Sequence, residues 1–181
     1  MSHMRKMVFA LSASVALIGG LAYAANVHVK SGPFFTDNGL TLTAAGSLAG
    51  LGFQDLVIGM TAQANPIATC TNPAGETKPP GHNPAPVSVS ATPESIPASE
   101  IKNGNTPFSL TTNPPATPIV GAPDCPNSSW TEAITDLQFT SATITVEQPA
   151  PNVVLIISCT FAPPTANGPV AKQTVTCTSS H

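Results

Sequence analysis

Four cysteines (Cys70, Cys125, Cys159 and Cys177) and His82 are the residues whose types invite a chemical reading first. Cys70 opens the stretch CTNPAGETKPPGHNPAPVSVS, which holds His82 among prolines and ends at Ser90. A zinc site needs closely spaced pairs of Cys and His ligands, and here one cysteine and one histidine stand alone. A Ser-His-Asp triad needs a nucleophile on a sharp turn, a buried histidine and an orienting acid. The sequence has no G-x-S-x-G elbow, and His28 and His181 lie near the ends of the mature chain. Two acid pairs are candidates for glycoside hydrolysis, which needs carboxyls facing each other across a cleft. Glu94 and Glu100 flank SIPAS, while Glu132 and Asp136 stand four apart beside Trp130, and all four read as solvated surface acids. TDNG, Thr36 to Gly39, gathers oxygen ligands suited to calcium. A hairpin turn capped by Asp37 explains the same residues more simply. GSLAGLGF, Gly46 to Phe53, has the wrong glycine spacing for a phosphate loop. The expectation is a non-enzyme with no catalytic residue, no metal and no cofactor.

The chain start accounts for the cysteines. Arg5 and Lys6 precede an apolar run from Val8 to Leu21 and the small-residue end Ala22-Tyr23-Ala24, the layout of a secretory signal peptide cleaved before Ala25. Met1-Ser2-His3 reads as a cloning scar. The apolar run is short for a bilayer span, and no later stretch is long enough, so the mature chain is expected without a membrane span, secreted or periplasmic. In an oxidising compartment four cysteines read as two disulfides. Cleavage leaves four lysines against nine carboxylates, a formal charge of −5. Charged residues make up 8% of the sequence, against an ordinary ~25%. With no arginine and no lysine cluster, the mature chain has nothing to grip a phosphate backbone, so nucleic acid is excluded as a partner.

The elements that position these residues are strands. LTLTA from Leu40, DLVIGMTAQA (Leu56, Ile58, Met60 and Ala62 on one face), PVSVSA and FSLTT all alternate with period two. In LQFTSATITVEQ the apolar parity switches from Leu137 and Phe139 to Ala142, Ile144 and Val146, which predicts a bulge near Thr140-Ser141. VVLII, Val153 to Ile157, is apolar throughout and predicts a central strand covered on both faces. SSWTEAI is the one candidate helical turn, with Ser128 or Ser129 as cap. Asn-Gly pairs at 38–39, 103–104 and 167–168 are hairpin signals. Four cysteines allow three pairings. A three-residue hairpin tip centred on Gly168 would set Cys159 opposite Cys177 and Phe161 opposite Val175, favouring Cys159–Cys177 and therefore Cys70–Cys125. The second bridge would contribute ~4 kcal/mol through chain entropy.

The fold expected is an all-β, antiparallel sandwich of Ig-like or Greek-key type, with eight to ten short strands and residues 25–181 as one domain. Fourteen of the twenty prolines fall between Pro66 and Pro126. They read as stiff loops between edge strands of that domain, with a linker between two small domains as the alternative. Trp130 is the only tryptophan, and no tyrosine remains after cleavage, which argues against a flat sugar-stacking platform. Trp130 is expected beside a disulfide or at the end of the core, and with His82 it is a candidate contact residue.

The segments CTNPAGETKPPGHNPAPV, IPASEIKNGN and DCPNSSWTEAITDL resemble small secreted bacterial β-domain proteins. The resemblance spans nearly the whole mature chain. It implies a secreted bacterial domain of this layout and transfers no catalytic residue. The function expected is surface contact, as a matrix, coat, adhesive or binding component whose partner is another protein or a cell surface. Self-association through the strand-like ends NVHVK and QTVTCTSS is one version. The alternatives are a small inhibitor presenting KPPGHNPAP and, less favoured, a secreted hydrolase.

Overall fold

The computed structural model describes residues 26–181, so the expected signal peptide and its cleavage point lie outside the described residues. Eleven strands follow in chain order: β1 His28–Asp37, β2 Leu42–Ala49, β3 Leu56–Thr71, β4 Thr77–Lys78, β5 Val87–Ser90, β6 Glu94–Ile96, β7 Thr106–Thr111, β8 Thr131–Glu147, β9 Val153–Phe161, β10 Gly168–Pro169 and β11 Val175–Ser180. β4 and β10 are two-residue ladders, which leaves nine strands of three residues or more. All pairings are antiparallel. One sheet runs β10-β1-β2-β7, the other β11-β9-β8-β3-β4, with β5 and β6 also pairing with β3. The two sheets pack as a sandwich, the arrangement that period-two patterning demands of chains with one apolar face per strand.

The long strands β3 and β8 form its backbone, paired from Val57↔Glu147 to Thr71↔Thr131. Leu56, Ile58, Met60 and Ala62 all turn inward, as their spacing predicts. The register shifts where Gln63↔Ser141 gives way to Ala64↔Phe139, so Thr140 is the extra residue and the inward face changes parity there. Phe139 and Ile144, on either side of the switch, are both fully buried.

Both disulfides form, Cys70–Cys125 and Cys159–Cys177. Cys159 faces Cys177 and Phe161 faces Val175 in the β9–β11 ladder. The tip differs from the expected tight loop. Residues 162–174 detour across the sandwich, where Gly168–Pro169 pairs with Asp37 and Thr36 of β1. The other two Asn-Gly pairs do make turns. Asn38 donates to the Thr41 carbonyl, and Asn103 and Gly104, with φ of 52° and 71°, close the turn between Lys102 and Asn105.

Two further expectations about elements are corrected. VVLII is interior to its sheet, but only Leu155 and Ile157 face the core, and Val153 is 46% exposed. An all-apolar run does not say whether a second layer covers the outer face, and here that face is only partly covered. SSWTEAI forms no helical turn. Ser128 to Trp130 is a turn leading into β8, because pairing with β3 captures Thr131 onward.

Candidate functional site

The Cys70 loop is held on three sides. Cys70, fully buried at the end of β3, is bonded to Cys125, which ties β3 to the segment that leads into β8. The loop after β4 then turns back over β3. Gly81 N–H donates to the Asp124 carbonyl (3.2 Å), and the Ala68 N–H donates to Asn83 Oδ1 (3.3 Å). His82 Nε2 contacts the Asp124 carboxylate, a partner the sequence did not reveal. The imidazole is 76% exposed and Asp124 11%, so the pair lies at the rim of the surface. A hollow of about 450 Å³ separates the loop from β3, lined by Ile67, Thr69, Lys78, Pro79, His82 and Asn83. Trp130 is half-buried and stands outside the core cluster.

Glu132 overturns its expectation as a solvated surface acid. It is fully buried, opposite Cys70 in the β3–β8 ladder. Strand alternation places it on the same inward face as Ile134, where a helical turn would have left it outside. One carboxylate oxygen accepts the Asp124 N–H (3.2 Å), whereas Oε1 has no hydrogen-bond partner. Asp136 is half-buried after a second register shift, between Ile67 and Ala68 of the partner strand.

Asp37 caps its turn as expected, accepting the Gly39 N–H on Oδ1 (2.9 Å). It is also buried, at 2% exposure, and Oδ2 accepts the Thr165 hydroxyl. That hydroxyl in turn accepts the Phe139 N–H (2.9 Å), so one carboxylate links the end of β1 to β8 at its bulge. Burial raises the Asp37 pKa above its ordinary 3.8. The hydrogen bonds from Thr165 and Gly39 oppose the rise, and the neighbouring Asp136 charge adds to it.

A gap in the sandwich lies between the terminal strands. β1 pairs with β2 along one edge, while β10 covers its other edge only at Thr36 and Asp37. β11 pairs with β9 alone. No ladder joins His28–Phe34 to β11 among the described residues. A groove of about 470 Å³ occupies this gap, lined by Val29, Lys30, Phe34, Val170, Lys172 and Val175, among others. Phe34 is 58% exposed, and every residue of β11 after Val175 is exposed, Cys177 included. Beyond Val175, β11 therefore buries no side chain.

No protein-family model, curated protein or solved structure matches the chain. Among the described residues, no group of three or more His, Cys, Asp or Glu is arranged to hold a metal ion, and no helix is long and apolar enough to cross a membrane. What the arrangement offers is hydrogen-bonding backbone at two sheet edges, flanking a partly apolar groove with two lysines.

Proposed function

We propose that the protein is a secreted, non-enzymatic extracellular component that works by surface contact and associates with copies of itself through its terminal strands. The observation that carries this reading is the open seam, where β1 and β11 present unpaired edges beside the same groove. An unpaired edge is a template for another strand, and most folds blunt such edges or cover them. The leader, the two disulfides and the low charge density support an exported component of a matrix or coat. The sequence resemblance supports a bacterial source. Sedimentation and electron microscopy of the purified mature protein test the association. Concentration-dependent oligomers or fibres are expected, and a strictly monomeric particle at high concentration would sink it.

A second reading rests on the loop from Pro79 to Asn83, pinned through Gly81, His82 and Asn83. A loop fixed in this way suits an enzyme inhibitor, because little conformational freedom remains to be lost on binding. Inhibition of a secreted hydrolase that disappears on replacing His82 and Pro80 would favour it.

A further inference from the structure

The first six described residues, Asn26 to Ser31, behave as a separate arm of β1. His28 pairs with Ala49, Val29 with Leu48 and Ser31 with Ser47, and the register then breaks across Gly32 and Pro33 before Phe34 pairs with Ala45. Gly32 has a φ of +84°, a conformation that L side chains rarely adopt. Beyond this break β1 is anchored on both edges, to β2 and, at Thr36 and Asp37, to β10. Phe35 is buried against Phe161, ring centroids 5.0 Å apart, and Asp37 is tied to Thr165. The arm can therefore leave without unravelling the rest of the strand.

The surface beneath the arm is shaped to its backbone. A β-carbon on Gly50 would sit 2.0 Å from the Asn26 carbonyl oxygen, and one on Gly46 would sit 2.7 Å from that of Ser31. These two glycines make a slot that only a closely laid backbone fills. Val27, at 1% exposure, fixes the arm by entering the core cluster. The slot thus specifies its occupant, a strand with the sequence of this arm. Two sources can supply one, the chain's own N-terminal segment or that of another copy.

We propose that the arm Asn26–Ser31 is exchanged between copies, swinging about Gly32–Pro33 to fill the Gly46/Gly50 slot of a second molecule. This rests on the self-association proposed above and names its donor and acceptor. Each exchanged arm remakes the contacts it left, so exchange adds no new interface of its own and is favoured by concentration. Cleavage before Ala25 would make the arm the free chain end, so no loop need thread through the partner. The arm also forms one wall of the open groove, through Val29 to Ser31, so an exchanged copy is carried to the uncovered face of β11.

The test mixes two single variants of the full mature protein, His28→Cys and Ala49→Cys, whose positions face each other in the ladder. The mixture is concentrated, oxidised and mapped under non-reducing conditions, with Cys70–Cys125 and Cys159–Cys177 checked as intact. Exchange predicts a covalent heterodimer bridged between positions 28 and 49, a bond that neither variant can make within one chain. The double variant should likewise yield covalent multimers. If sedimentation shows oligomers but the double variant closes its bridge wholly within monomers, exchange is overturned and self-association stands. If sedimentation shows only monomers, both fall. Gly50→Ala gives a second check: its φ of +77° and the Asn26 carbonyl 2.0 Å from the added β-carbon should expel the arm from the slot of any copy, so undiminished oligomers would contradict the proposal.

Discussion

The two seams of the sandwich are finished differently. On the β5–β7 side the sheets are stitched together. The Asn113 N–H donates to the Ser90 carbonyl (2.9 Å), Ala91 bridges Thr112, and the Thr112 hydroxyl accepts the Leu42 N–H (2.9 Å). Thr112 is 2% exposed, so this one residue joins β2 of one sheet to the β5 corner of the other. On the β1–β11 side the stitching stops at Asp37, Thr165 and Val170, and beyond them both edges are free. The proline-rich region supplies the cross-links of the first side, although β7 itself pairs only with β2, and the two ends of the described chain line the second. A sandwich can thus be sealed where loops are stiff and left receptive where strands end.

Breaking the two disulfides gives the largest effects. Replacing Cys70 and Cys125 by alanine should cost ~4 kcal/mol, and replacing Cys159 and Cys177 ~3 kcal/mol, on chain-entropy grounds for separations of 55 and 18 residues. Urea unfolding would measure both. Loss of the second bridge should also release β11, seen as faster amide exchange at 175–180 with little change in β7.

Hydroxyl deletion separates the seams more finely. Thr112→Val should lower stability by about 1–3 kcal/mol, because it leaves the buried Leu42 N–H without its acceptor. Thr178→Val on exposed β11 should stay within about 0.5 kcal/mol. Equal costs at the two positions would mean that the seams do not differ.

The smallest effect is a pH dependence where the stitching ends. Because the folded Asp37 pKa is raised above 3.8, the folded state holds its proton more tightly than the unfolded chain. The associated stability is fully present below the unfolded pKa and is lost as pH rises through the folded one. Urea unfolding over a pH series should show wild type losing stability relative to Asp37→Asn as pH rises above about 3.8. A difference that moves the other way would contradict the assignment.

Local patterns in the sequence carried the architecture further than the contacts at its surface. Leu56 to Ala62 showed their face by alternation, and the parity change around Thr140 located a bulge. The match of Cys159 with Cys177 and Phe161 with Val175 located a ladder although the assumed tip was wrong, because register depends on which faces match and not on the loop between them. Glu132 was misread as a solvated surface acid because carboxylates are rarely buried, and strand pairing with β3 turned it inward. The second parity change, between Ile134 and Leu137, was missed because an acid and a threonine occupy the shift. His82 and Asp124 meet only through the path of two loops, which no local pattern encodes. The open seam was legible in part, through the strand-like character of both ends. That those ends share one groove depends on the topology.

Association at the open seam is tested most directly by hydrogen exchange of the mature protein at low and high concentration, read by mass spectrometry peptide by peptide. The account predicts that concentration adds protection in residues 28–34 and 175–180 and leaves β7 unchanged. Protection independent of concentration, or gained along β5 and β7 instead, would contradict it.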